Sequence, residues 1–366
     1  MPDVLIIGGN VMVYPRVEVD LNKLKHNVNV LVHLCKEKQI EVAGVTKVFC
    51  GNPQIAKAYV EGGVSYLADS RIENLIKLKD LNLPKMLIRI PMLSEVDKVV
   101  EYADISLNSE IETIRAISNV SIKKGKKHKI ILMVDLGDLR EGYFNEDELY
   151  DVVEQVMNMS GVKLIGLGTN LTCYGGVIPS EDNLGRLVRI SNNIKEKYNI
   201  DLEIISGGNS SSLHLLLKGK EVNGINMLRL GESLVLGRET AYGQKIEDTY
   251  EDCFQLLAEI IEIKEKPSVP IGEIGMDAFG NVPTFVDKGI RKRMICAIGK
   301  QDVDIDSIIP IDEKISILGA SSDHLILDGT DSDVNYKIGD VVRFNLTYSG
   351  ILKVMTSEYV KKEIKD

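Results

Sequence analysis

The chain predicts an α/β fold, a (β/α)8 TIM barrel followed by a C-terminal mainly-β domain, on three observations. Eight short apolar runs alternate with amphipathic stretches up to about residue 237, the pattern of repeated β/α units. No G-x-G-x-x-G opens the series, so closure into a barrel is favoured over a doubly wound open sheet. Beyond residue 238 the helical period gives way to Val/Ile-rich runs broken by Gly, Pro and Asp, the texture of a separate β domain.

The elements follow in order. Asp20 is a plausible N-cap for an amphipathic helix reaching Lys38. Strand-like runs are expected at 41–47, 64–68, 85–90, 104–107, 129–135, 162–168, 202–206 and 225–230, with helical patterns at 52–62, 94–102, 146–159 and 181–198. The barrel is assigned to residues 1–238 and the β domain to 239–366, with β-rich runs at 254–264, 293–298, 314–318, 324–327 and 341–346. Roughly the first 14 residues, strand-like at 4–7 and 11–14, are candidates to pack with the β domain. Residues 358–366 read as a solvated terminus.

Composition narrows the function. With 366 residues, 44% hydrophobic and 27% charged, the chain can bury a sizeable core. A net charge of -10 argues against nucleic acid and anionic membranes as partners and leaves a small molecule. The one basic cluster, 123–128, reads as a solvated loop. Five scattered cysteines without C-x-x-C spacing suggest reduced thiols, neither a disulfide framework nor a metal site. Without a basic leader or a membrane-length apolar run, the expected location is the cytoplasm.

Barrel chemistry sits where strands end, so polar residues at those ends are the candidates. Strand one delivers Lys47 after an apolar run, a costly place for an ammonium unless it snorkels to water or serves as a nucleophile. Strand five gives Asp135 and the loop through Arg140, strand six gives Thr169 and Asn170, and strand eight gives Arg229 and Gly231. Strand seven ends in Ser206-Gly207-Gly208-Asn209-Ser210-Ser211, small residues that let backbone N–H groups and hydroxyls approach an anion; turn chemistry with an N-cap is the plainer alternative. A phosphate site facing a strand-one lysine suggests pyridoxal 5′-phosphate. Arg229 would then meet the pyridine nitrogen, where its retained proton limits delocalisation and favours prompt reprotonation, as a racemase requires.

On residues 14–21, 45–47, 134–142, 206–211 and 226–231, the chain resembles the alanine racemase family of fold-type III pyridoxal-phosphate enzymes, and within it the ornithine racemase branch. The resemblance spans nearly the whole chain. It implies that Lys47 forms the imine with the cofactor and is one of two catalytic bases. Arg140 would lie near the phenolic oxygen, Ser210 and Gly231 would hold the phosphate, and Arg229 would meet the ring nitrogen. It also implies a homodimer with shared active sites. Residues 321–324, including Asp323, resemble a loop that reaches the partner's site, and Tyr348 is in register with a phosphate-contacting tyrosine.

Two departures from the family stand out. Asn170 replaces a histidine after strand six, and the stretch 268–280 lacks the tyrosine that serves as opposite-face base. Racemisation needs a proton donor on each face. Asp277 is the first candidate for that second base, with Cys296 and Tyr174 behind it; Glu273 and Asp277 could instead bind a distal substrate ammonium. The expectation is an amino-acid racemase, ornithine first, working by two-base α-proton exchange on the cofactor aldimine. The alternatives are a broad-specificity lysine or alanine racemase and a non-catalytic pyridoxal-phosphate carrier, against which the extra β domain speaks. A metal-assisted dehydratase or aldolase would need a His/Cys pair that residues beyond Arg229 do not supply.

Overall fold

Side-chain alternation closes the barrel. In the strand His128–Met133, Ile131 and Met133 point inward, while Ile130 and Leu132 point out beneath the helices. The structure, a computed structural model, describes residues 6–7, 10–11, 13–220, 223–277 and 279–366. Eight parallel strands, Glu41–Val45, Tyr66–Asp69, Lys85–Leu87, Ile105–Asn108, His128–Met133, Val162–Gly168, Ile204–Ser206 and Met227–Leu230, each pair with the next. The last returns to the first with Leu230 beside Gly44. Ala43, Ala68, Met86, Leu107 and Met227 help fill the interior. Fully burying side chains of this size is worth about 1.5–3 kcal/mol for each larger one. Where strands six and seven pair, a Cβ on Gly166 would lie 2.2 Å from the Ile204 carbonyl oxygen, so only glycine fits.

The outer helices start where the sequence signals them. Asn52 caps helix Pro53–Glu61 by accepting from the Gln54 and Ile55 amides, with proline at the first position. Ser180 and Asn183 form a capping box for helix Glu181–Tyr198. Helices Leu213–Leu217 and Glu232–Leu236, five residues each, are too short to display a period. The basic cluster forms the end of helix Ile111–Lys123 and a turn, with Lys124 and Lys126 on Glu101. Its last member, His128, is buried against Ser106 at 2.9 Å.

The described residues divide into two units, 21–251 and 252–366 together with the N-terminal residues up to Asp20. The two units meet at 251/252, thirteen residues past the expected 238/239. Segment 239–251 has no periodicity, but its polar groups turn back into the barrel unit. Buried Glu239 accepts from the amides of Ala241, Tyr242 and Gln244, and Asn27 exchanges bonds with Tyr250.

In the second unit, strand Phe254–Pro267 pairs antiparallel with Ile290–Cys296, Val341–Leu346 and Arg16–Asp20. Residues 6–7 pair with 10–11, and the other residues before Val13 lie outside those described. The C-terminus corrects the expectation of a solvated tail: Lys361–Lys365 forms a strand parallel to Arg16–Asp20, with Lys365 2.8 Å from Glu18. Its charged residues hid the strand, because an edge strand pairs through its backbone. No helix among the described residues is long and apolar enough to cross a membrane.

Candidate active site

Lys47 stands half-buried at the first turn past strand one. Its neighbour Thr46 fixes that turn by donating from Oγ1 to Asp69 Oδ2 at 2.6 Å. Asp69 ends the second strand, fully buried, and also accepts from the Arg71 amide at 2.9 Å and from Asn74 Nδ2 at 3.1 Å. Burial raises the Asp69 pKa, while these bonds and the Lys47 charge oppose the rise. Oδ2 of Asp69 thus holds the lysine-bearing turn, while Oδ1 holds the start of the following helix.

Two more strand-end carboxylates organise the loops after strands five and six. Asp135 accepts from the Gly137 and Leu139 amides at 2.8 and 3.1 Å. Asp138, fully buried, accepts from the amides of Thr172, Val177 and Tyr174 at 2.9–3.1 Å, tying one loop to the other. The Tyr174 side chain is 75% exposed. Arg140 donates from two nitrogens to the two oxygens of Glu141, and that pairing raises its pKa. Cys173 lies by Arg140 and 3.4 Å from Asn209 Nδ2, which also donates to Asn170 Oδ1 at 3.1 Å.

The loops after strands seven and eight are joined by Ser210. Its hydroxyl pairs with the Ser233 hydroxyl at 2.9 Å and accepts from the Ser233 and Gly231 amides at 3.2 and 3.4 Å. Gly208, at φ +107°, gives the loop a left-handed conformation that side-chain-bearing residues avoid. Arg229 is buried and bonds only to neutral oxygens, the Ser206 hydroxyl and the Thr169 carbonyl (2.7 Å). Burial pulls its pKa down to about 10. Glu232 sits half-buried beside this cradle; burial raises its pKa, with Arg238 and Lys47 opposing.

Lys47, Arg140, Asn170, Ser210, Arg229 and Gly231 therefore share the C-terminal face of one barrel. Tyr174 also belongs to this unit, and Asp277, Glu273, Asp323, Tyr348 and Cys296 belong to the other. Asp277 is exposed and binds its own turn, accepting from the Asn281 and Phe279 amides at 2.9 Å each, which lower its pKa. Glu273 is exposed, Asp323 is exposed and accepts from Ser322, and Tyr348 opens helix Tyr348–Thr356. Cys296 is removed as a base: it is fully buried, and burial pushes its thiol up to about 12. Sequence reasoning gave no role to Thr46, Asp69, Glu141 or Ser233; Thr46 and Asp69 obey the strand-end rule that would have found them.

Pyridoxal 5′-phosphate fits the donors this face offers. Ser211 Oγ, Thr169 Oγ1 and Asn170 Nδ2 are buried without a hydrogen-bond partner, a costly state that a polar ligand would relieve. Thr169 and Asn170 follow strand six, where the Thr169 carbonyl accepts from Arg229, and Ser211 follows Ser210 after strand seven. Ser210, Ser233 and Gly231 would hold a phosphate, Arg229 a ring nitrogen, and Lys47 an aldehyde.

The family model for "Alanine racemase, N-terminal domain" matches residues 19–239. The chain is 52% identical to the ornithine racemase of Acetoanaerobium sticklandii, covering 96% of this chain and 99% of that one. It is 42% identical to the lysine racemase of Thermotoga maritima, covering 96% and 98%. Among solved structures, the alanine racemase of Clostridium difficile 630 superposes with a TM-score of 0.74 at 19% identity over 97% of each chain, a likeness of fold. A matched barrel model and a near full-length relative above half identity place this chain in the alanine racemase family.

Proposed function

We propose that this chain is an amino-acid racemase acting on ornithine, the alternative being a broad-specificity lysine or alanine racemase, and that it works with pyridoxal 5′-phosphate as a cytoplasmic homodimer. The observation that carries this reading is the 52% identity to an ornithine racemase across 96% of the chain. The barrel face that gathers Lys47, Ser210 and Arg229 supports it.

When bound, the cofactor supplies an electron-withdrawing ring that acidifies the substrate's α-proton. The chain's residues do the rest. Lys47, whose turn is held by the Thr46–Asp69 bond, would bind the aldehyde and move a proton on one face at Nζ. Arg229, with its pKa lowered only to about 10, keeps its proton at neutral pH. It can therefore donate to a ring nitrogen but not protonate it, which favours return of the α-proton over elimination. Arg140 would meet the phenolic oxygen, and Ser210 with Gly231 would hold the phosphate.

The second proton donor is drawn from two residues. Tyr174 is carried by a loop that Asp138 fixes through three amides. Asp277 would act from a second copy of the chain, where Glu273 and Asp323 would meet the distal ammonium. Large exposed apolar side chains flank Asp277, with Ile271 92%, Met276 77% and Val286 75% exposed, which suits a subunit interface. Tyr174→Phe and Asp277→Asn separate the two, since only the true donor's loss abolishes conversion.

The test is chiral chromatography of L- and D-ornithine, lysine, arginine, alanine and serine after incubation with protein and cofactor. Conversion of ornithine in both directions at the highest rate is expected. Lysine converting faster would reassign the substrate. No conversion of any amino acid, with cofactor bound on Lys47, would leave a carrier.

A further inference from the structure

We infer that Glu141 is a positioning residue: its carboxylate grips Arg140 and fixes that guanidinium over the cofactor site. The inference rests on the proposed cofactor-dependent racemase reading and deepens it. Both Glu141 oxygens accept from Arg140, one from Nε and one from a terminal nitrogen, the planar fork that sets an arginine's orientation as well as its charge. The Glu141 side chain is 17% exposed and the Arg140 side chain 42%, so the anchor is the more buried partner. Without it, a long and half-exposed arginine would swing to water.

The surroundings give the pair a second role. Arg229 is buried against neutral acceptors only, and no carboxylate touches it among its hydrogen bonds. The strongest charge favouring its protonated state is Glu141, while Arg140 disfavours it. Glu141 is therefore the negative charge that holds Arg140 directly and also favours the charged state of Arg229. Three other carboxylates of this face are committed elsewhere: Asp69 to Thr46 and to its own following turn, Asp135 to its own loop, and Asp138 to the loop after strand six.

Simple charge attraction and positioning predict opposite signs. Removing a negative charge beside an anionic cofactor should tighten its binding. Losing the grip on Arg140 should weaken it. The experiment is a double-mutant cycle on the full chain with Glu141→Gln, Arg140→Met and the combined variant. Pyridoxal 5′-phosphate affinity is read by absorbance titration, with the absorption maximum of the lysine-bound cofactor followed alongside. The expected result is at least about tenfold weaker binding and a shifted maximum for Glu141→Gln. In the Arg140→Met background the same change should cost under about twofold. Tighter binding in Glu141→Gln, or an equal loss in both backgrounds, would overturn the inference. If Glu141→Gln does not fold, Glu141→Asp enters the same cycle with the same two criteria. A wild-type protein that forms no lysine-bound cofactor would instead defeat the underlying reading.

Discussion

The loops on the barrel face and the stretch around Asp277 solve the same problem, holding polar groups for chemistry, in opposite ways. On the barrel face, Asp69, Asp138 and Ser210 each bond to groups from a neighbouring loop, and all three are buried. Around Asp277 the carboxylate bonds only to its own turn, and Ile271, Met276, Val282 and Val286 face outward. The first region is organised within one chain. The second has the character of a surface whose packing partner is another molecule.

The sharpest way to break this contrast is at Lys47. Lys47→Ala should remove covalently held cofactor, measured by mass after borohydride reduction, and lower racemisation by roughly 1000-fold or more. Retained activity would show that the barrel face is not the reacting site. Next in size, Asp138→Ala strips the acceptor from three amides. Leaving buried donors unsatisfied costs on the order of 3 kcal/mol in total, so the melting temperature should fall by roughly 6 °C or more. An unchanged melting temperature would mean that the two loops are not locked through Asp138.

The Asp277 region predicts the reverse. Ile271→Ser combined with Met276→Ser should leave circular dichroism unchanged while the mass in analytical ultracentrifugation falls to that of one chain. A mass unaffected by both changes would remove this surface from the interface. At the first residue of the fifth barrel strand, the end away from the barrel-face loops, His128 supplies the smallest effect. Burial drops its pKa from 6.5 to about 4, so the unfolded chain binds the extra proton between those values. Its contribution is complete above pH 6.5 and is lost as pH falls towards 4, by at most about 3 kcal/mol. His128→Gln should flatten the stability profile in that window; an unaltered slope would assign the pH dependence to other groups.

Much of the barrel was legible because its strands are apolar on both faces and stand between helices with strong signals. Lys47, Ser210 and Arg229 stood out as polar residues ending apolar runs. What supports them was not legible. Thr46 meets Asp69 across 23 positions and Asp138 meets Val177 across 39, and no local pattern announces such pairs. Residues 239–251 are bonded to the barrel unit in a similar way, through polar bonds of Tyr250 to Asn27 and of Thr249 to Gly237 that carry no period. The strand Lys361–Lys365 was missed because its side chains are charged while its pairing is through the backbone.

The most direct measurement is deuterium uptake at the α-carbon of L- and D-ornithine in deuterated water, with wild type and Lys47→Ala compared. The account predicts that wild type yields the opposite enantiomer carrying solvent deuterium from either starting form, and that Lys47→Ala yields none. Conversion without solvent deuterium, or uptake undiminished in Lys47→Ala, would contradict it.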